Sequence, residues 1–203
     1  MTKSKLLRAF IWIFLIAGAI LIIGEKKWFP DFYDPKLFGI GSLVSAFIII
    51  LPALIFHSSE QKKKESLINL QLILSISLAL NGLGSLGLFQ LYKVGFEFDK
   101  LVHFTVAFIA TIALSYFLFN WYNLDFKKSI ILSALLLIFA GLIWELLEFT
   151  TDLILGTKTF GIYGMDAERD TILDLVFDVL GAALAYLFLL FRKTLTRFKS
   201  SIY

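Results

Sequence analysis

Residues 170–191 read DTILDLVFDVLGAALAYLFLLF. Residues 171–191 are mostly apolar and match the length of about 20 residues that an α-helix needs to cross the hydrocarbon core of a bilayer. Their Leu, Val and Phe residues lack the alternation with polar residues that is typical of a transmembrane β-barrel strand. The same stretch carries aspartates at 170, 174 and 178, which share one face of a helix. This segment therefore predicts a membrane helix with an acidic stripe.

Five further apolar runs of similar length lie upstream, at 6–23, 37–56, 67–89, 101–119 and 130–149. The 203 residues are 59% hydrophobic, with a mean hydropathy of +0.83, well above the roughly 45–50% apolar content of a soluble domain. We predict an all-α, polytopic transmembrane helical bundle with about six spanning helices, forming a single integral membrane domain over residues 1–203. The first run follows basic residues, like a signal peptide, but it is longer than a typical signal core and is expected to be a retained helix.

The basic residues predict the orientation of this bundle. Six spans place both termini on one side, and the loops and tails of that side carry twelve Lys and Arg against seven on the other. Because cytoplasmic loops are enriched in Lys and Arg, we expect a multi-pass protein of the cell membrane with both termini cytoplasmic. All acidic residues except Glu60, Glu65 and Asp125 then lie at or near the outer face. The pI near 9.0 reflects this topology and indicates membrane lipid, not nucleic acid, as the partner.

The ionisable residues of the last three spans form three helical stripes. Asp99 and His103 are four residues apart at the start of the fourth span, and Glu145 and Glu148 are three apart at the end of the fifth. Both spacings place the two side chains on one helix face. Spans four and six are expected to enter the membrane from the outer face, and span five is expected to end at that face. These two stripes and the stripe that starts at Asp170 are therefore expected to lie at the same depth in the membrane.

Carboxylates at this depth need compensation, since one acid at a helix centre costs about 2.5–3.5 kcal/mol on insertion scales. Lys100 and Arg169 are expected at the rim, where they offset part of the charge, and His103 offers one more positive charge. The rest must be balanced by protons shared within the cluster or by a bound cation. Carboxylates with one imidazole suit a divalent cation such as Mg²⁺, Mn²⁺, Zn²⁺ or ferrous iron.

The candidate metal ligands are therefore Asp99, His103, Glu145, Glu148, Asp170, Asp174 and Asp178, and the candidates for acid–base catalysis are His103, Glu148 and Asp174. The alternative is a structural role, in which these residues pair across the bundle and Asp99 and Asp170 are N-caps beside the positive ends of helix dipoles. Capping does not account for Asp174, Asp178 or the paired glutamates, which lie within helices. The loop of residues 150–170, which contains glycines and aromatic residues, is a candidate lid over the site.

Three motifs, DKLVHF at 99–104, WELLEF at 144–149 and DTILDLVFDVLGA at 170–182, resemble the VanZ-like and YjdF-like group of small bacterial and archaeal membrane proteins. The YjdF-like pattern is the closer one, because it pairs the WE segment with a DT-x-x-D segment before a Gly-Ala pair. That pattern has Asn where Asp178 stands here. The resemblance covers spans three to six. VanZ is associated with teicoplanin resistance, which suggests work at the cell envelope, but this chain is not close enough to VanZ to inherit that role. YjdF-like members lack an assigned activity, so the resemblance implies no particular reaction.

Three classes of function are compatible with these residues. The first is a membrane protein that binds a divalent cation at an outward-facing Asp/His/Glu site and acts on an envelope or lipid-linked substrate. The second is a proton- or cation-coupled transporter, although the inner halves of spans four to six read as almost purely apolar. The third is a noncatalytic envelope-stress or antibiotic-response protein. The sequence leaves open whether the chain is an enzyme.

Overall fold

The computed structural model describes residues 2–29, 35–155 and 167–200. Six α-helices cover most of these ranges: α1 Lys3–Ile23, α2 Pro35–Ile55, α3 Gln61–Ser85, α4 Phe98–Tyr122, α5 Phe126–Leu155 and α6 Ala167–Ser200. Short 3-10 helices, Lys26–Trp28 and Leu88–Val94, lie between α1 and α2 and between α3 and α4. The described ranges contain no strand, and each of the six helices is long and apolar enough to cross a membrane. The predicted all-α class with six spanning helices is confirmed.

The ends of the helices differ from the ends of the apolar runs. α3 begins at Gln61 and ends at Ser85, so residues 86–89 of the predicted third span leave the helix. Gly87 follows with a φ of 129°, a backbone conformation that glycine adopts because it has no Cβ to clash. The other helices extend beyond the apolar runs at one or both ends, since backbone hydrogen bonding continues through polar residues.

The chain divides into two compact units, Met1–Leu86 and Gly87–Tyr203. The first unit contains α1, α2 and α3, and each helix contributes one residue to its buried core, namely Leu7, Ile49 and Leu72. α1 and α2 approach closely at Gly18 and Gly39, where an added Cβ would lie 2.7 Å from a side-chain atom of the facing helix. Small residues permit such close packing of helices in membranes.

The second unit contains α4, α5 and α6, and each of these helices packs against the other two. An added Cβ at Gly181 of α6 would overlap the carbonyl oxygen of Phe104 on α4 and touch the side chain of Ala107. Gly141 of α5 lies against the carboxylate of Asp178 on α6 in a similar way. The missing side chains let the three backbones approach, so polar groups of all three helices can contact one another directly.

The structure differs from the sequence prediction at the start of α4 and α6, where N-caps were expected, and it describes only part of the candidate lid. The N-cap of α4 is Glu97 and α6 begins at Ala167, so Asp99 and Asp170 lie inside the first helical turns and the N-cap alternative is wrong. Carboxylates in a first turn still interact favourably with the helix dipole. Of the candidate lid, residues 150–155 and 167–170 are helical, whereas residues 156–166 lie outside the described residues.

Candidate functional site

The three predicted stripes meet at one end of α4, α5 and α6. His103 Nε2 of α4 lies 3.9 Å from Glu145 Oε1 of α5 and 3.6 Å from Asp174 Oδ1 of α6. Most of the charged residues in this cluster are buried, with exposed fractions of 2–6%, namely Lys100, Glu145, Asp170, Asp174 and Asp178. The three stripes therefore meet in the bundle, while their common depth in the membrane stays a prediction.

Lys100 lies inside the cluster, and the prediction that it stands at the rim is wrong. It is 2% exposed, and its Nζ donates to Asp174 Oδ1 at 2.8 Å and lies 3.3 Å from Asp99 Oδ2. The same ammonium donates to a carboxylate oxygen of Asp170 and lies 3.4 Å from its main-chain oxygen. Position 100 is three residues before His103, and this spacing on α4 was the available signal that the two side chains share a face. A buried cation therefore already compensates part of the acidic charge.

His103 contacts carboxylates with both ring nitrogens. Nδ1 lies 3.3 Å from Asp178 Oδ1. On the other side of the ring, Nε2 lies 3.6 Å from Asp174 Oδ1 and 3.9 Å from both Asp99 Oδ1 and Glu145 Oε1. Because ionised carboxylates only accept hydrogen bonds, the space around Nε2 requires a positive group, which is either a proton or a metal cation.

Two carboxylate oxygens of the cluster are buried without a hydrogen bond to any described residue, Glu145 Oε1 and Asp178 Oδ2. The second oxygen of Glu145, Oε2, accepts from the Thr171 hydroxyl at 3.0 Å. Thr171 was missed by sequence reasoning, although its three-residue spacing from Asp174 places both on one side of α6. Buried polar atoms are nearly always satisfied by a partner, so the Glu145 oxygen that faces His103 needs a proton, a water molecule or a cation as its partner.

Glu148 lies at the edge of the cluster. Its Oε1 accepts a hydrogen bond from the indole nitrogen of Trp144 at 2.7 Å, and the residue is half-buried. Within the described residues, the ion pairs of His103 are formed with Asp99, Glu145, Asp174 and Asp178. The structure therefore separates Glu148, at the edge, from Glu145, at the centre of the cluster.

The donor atoms suit a divalent cation. Among the described residues, ligand atoms of Asp99, His103 and Asp174 all lie within 4.8 Å of one another. A cation bound at about 2.1 Å in tetrahedral geometry places neighbouring donors roughly 3.4 Å apart, close to the 3.6 and 3.9 Å found around Nε2. Glu145 Oε1 lies 3.9 Å from Nε2 but outside this group of three. Asp170 bonds to Lys100, and Asp178 lies beyond the His103 ring.

The two bases of the cluster do not balance its acidic charge. Five carboxyl groups lie within 4 Å of Lys100 or His103, the two basic side chains among the described residues of the cluster. Arg169, the other base predicted to help, is exposed. Burial of unpaired carboxylates is costly, so the acidic groups that exceed the two bases need protons or a metal cation.

Fold and site together define a small polytopic membrane protein with a buried acidic cluster around one histidine. The chain belongs to the DUF2238 family, described as predicted membrane proteins, whose model matches residues 6–194. An uncharacterized protein of Thermotoga maritima is 38% identical over 99 residues, which are 44% of this chain and 46% of that relative. The match thus spans about half the length of the relative. No solved structure matches the chain, and the VanZ-like and YjdF-like names are not confirmed by these comparisons.

Proposed function

We propose that this protein holds a divalent cation between Asp99, His103 and Asp174 and acts with it on an envelope or lipid-linked substrate at the outer face of the cell membrane. The observation that carries this proposal is the surroundings of His103 Nε2. Carboxylate oxygens from three different helices lie 3.6–3.9 Å from this nitrogen. A cation between the donors of Asp99, His103 and Asp174 would relieve the repulsion between the oxygens.

The mixture of donors narrows the choice of ion. Mg²⁺ and Ca²⁺ prefer all-oxygen sites, whereas an imidazole among carboxylates suits Zn²⁺, Mn²⁺ or Fe²⁺. When bound, such an ion would be a Lewis acid that polarises a phosphoryl or carbonyl oxygen or activates a water molecule. The site therefore fits hydrolysis or transfer at a phosphoryl or acyl group of the substrate.

The surrounding residues have separate roles in this proposal. Lys100 holds Asp170 and Asp174 of α6 against α4. Thr171 occupies one oxygen of Glu145 and leaves the other directed at His103. Glu148, at the edge of the cluster, is the candidate for transferring a proton to or from the substrate, because this residue is less buried than Glu145.

A groove beside the cluster supports a substrate with an apolar chain. It has a volume of about 350 Å³ and is lined by Glu97, Lys100, Leu101, Phe104 and Phe177. The apolar lining residues belong to the candidate membrane spans of α4 and α6, so a lipid chain could lie against them with its polar head near Lys100.

Proton-coupled transport is the second candidate function. Lys100, Asp174, His103 and Asp178 form a continuous series of ionisable groups, with successive contacts of 2.8, 3.6 and 3.3 Å. Buried hydroxyl groups occur farther along α4 and α5, at Thr111, Ser115, Ser129 and Ser133. The halves of these helices that are expected to face the cytoplasm therefore contain polar groups as well as apolar ones. Proton flux into liposomes that contain the purified protein, in the absence of divalent cations, would favour this function over the first.

A noncatalytic sensor would show neither proton flux nor turnover.

The metal content of the purified full-length chain tests the proposal. After separate dialysis against Zn²⁺, Mn²⁺ and Mg²⁺ in detergent, elemental mass spectrometry is expected to find about one Zn²⁺ or Mn²⁺ per chain. Asp174→Asn is expected to lose most of this ion. Glu60→Gln is the matched control, because Glu60 is exposed and pairs with Lys63 outside the cluster. A metal content near zero with every ion, or an unchanged content in Asp174→Asn, would refute the cation site.

A further inference from the structure

Asp178 lies on the opposite side of the His103 ring from the other carboxylates. Its Oδ1 is 3.3 Å from Nδ1, whereas Asp99, Glu145 and Asp174 are nearest to Nε2. The two nitrogens of an imidazole direct their bonds away from each other, so an ion bound at Nε2 is out of reach of Asp178. The sequence predicts Asp178 as a metal ligand, whereas in the structure it contacts the nitrogen of His103 that faces away from the other carboxylates.

The contact with Asp178 selects the nitrogen that carries a proton. An ionised carboxylate can only accept a hydrogen bond, so Nδ1 must donate to it. With a proton fixed on Nδ1, Nε2 is the nitrogen left to bind a cation. Histidines that ligate metals commonly donate their second nitrogen to a carboxylate in this way, which fixes both the tautomer and the ring orientation.

Gly141 makes room for this arrangement. The second oxygen of Asp178, Oδ2, is buried and lies where a Cβ of residue 141 would be. Any larger residue at position 141 would therefore push the Asp178 carboxylate away from α5. Since Asp178 Oδ1 is only 3.3 Å from the ring, such a displacement would change the hydrogen bond to His103.

We infer that Asp178, seated against Gly141, is the positioning residue that keeps a proton on His103 Nδ1 and directs Nε2 toward Asp99, Glu145 and Asp174. The inference rests on the proposed function only for the identity of the ion at Nε2. The hydrogen bond at Nδ1 exists in the metal-free protein and can be tested there. Asp178 contacts the ligand, not the ion, so its effect on binding is indirect.

Proton NMR of the metal-free protein in detergent tests the hydrogen bond. In a His57→Gln background, ¹⁵N-labelled histidine reports His103 alone, because the chain has two histidines. The Nδ1 proton is expected to be protected from exchange in the parent and in Asp178→Asn, whose amide oxygen still accepts a hydrogen bond. In Asp178→Ala it is expected to exchange with water at least about tenfold faster. Equal exchange in the parent and in Asp178→Ala overturns the inference.

Zinc affinity tests the consequence for binding. Loss of a partner that orients a metal ligand typically weakens binding about 10–100-fold, so Asp178→Ala and Gly141→Ala are both expected to bind Zn²⁺ in this range more weakly. Gly82→Ala is the matched control, because no atom lies within 4 Å of its added Cβ. Parent-like affinity in both variants would overturn the positioning role. If the parent itself binds no Zn²⁺, the proposed function fails, while the NMR result still decides the hydrogen bond.

Discussion

Lys100 and His103 divide the carboxyl groups of the cluster between them. The ammonium of Lys100 contacts Asp99, Asp170 and Asp174, and the imidazole of His103 contacts the two remaining groups, Glu145 and Asp178, in addition to Asp99 and Asp174. Asp174 is shared by both, at 2.8 Å from the lysine and 3.6 Å from the histidine. The lysine therefore provides a permanent positive charge next to the position proposed for the cation.

Replacement of this lysine tests its structural role. Lys100→Met removes the buried charge with little change in shape, and breaking a buried ion pair typically costs about 3–5 kcal/mol. We expect a clear fall in the melting temperature of the metal-free protein, measured by differential scanning fluorimetry in detergent, with partial recovery on addition of Zn²⁺. Lys93→Met, at an exposed lysine, should melt like the parent. Equal melting of the two variants would contradict a stabilising role for Lys100.

The residues of the site were only partly predictable from the sequence. Spacing was enough to place Asp99 and His103 on one face of α4, because neighbours on a helix face are fixed by the helical repeat. The expected direction of the spans placed Glu145 of α5 at the same end of the bundle. The i, i+4, i+8 stripe was less informative. The first and last members of this stripe, Asp170 and Asp178, are separated by roughly 12 Å along α6, so a single ion cannot bind to both. The contacts of Lys100 depend on how closely α4 and α6 pack, which spacing within one helix does not report.

At the scale of the helices, the contact between α4 and α6 holds the site together. Gly181 is the close point, where an added methyl group would overlap the Phe104 carbonyl oxygen. Overpacking of this kind typically costs about 1–3 kcal/mol. We therefore expect Gly181→Ala to lower the melting temperature of the purified protein and its Zn²⁺ affinity together. Gly82→Ala, which has open space around its added methyl group, should leave both values unchanged, and an equally benign Gly181→Ala would show that the helices do not need this close contact.

The helices themselves were predicted well, but their ends were not. Long apolar runs identify a spanning helix because hydrocarbon tolerates no unsatisfied backbone polar group. Hydropathy does not report where backbone hydrogen bonding stops. The end of α3 at Ser85 is followed by Gly87, and the start of α4 at Phe98 is preceded by Gly95, each with a positive φ. Neither signal changes the apolar content of the chain.

At the scale of the whole molecule, the charged cluster belongs to a single unit of the chain. All of its residues lie within Gly87–Tyr203, whereas the family match covers residues 6–194 and includes both units. The first unit contributes α1, α2 and α3, packed around an apolar core. The chemistry proposed here therefore belongs to the last three helices.

The orientation of the chain in the membrane is a separate prediction, which follows from its distribution of Lys and Arg. The chain has no cysteine, so single cysteines can report the side of each loop. We expect a membrane-impermeant maleimide to label Lys93→Cys, but not Ser59→Cys, in intact cells that express the protein. Both positions are exposed and should react after lysis. The reverse pattern in intact cells would place the termini outside the cell.

The most direct test of the cation site is X-ray absorption spectroscopy of the Zn²⁺-loaded full-length protein. We expect one imidazole nitrogen together with carboxylate oxygens bound directly to the ion, at about 2.0–2.2 Å. The imidazole signal should disappear in His103→Gln and persist in His57→Gln. A spectrum without an imidazole contribution, or one that does not change in His103→Gln, would contradict a cation held between Asp99, His103 and Asp174.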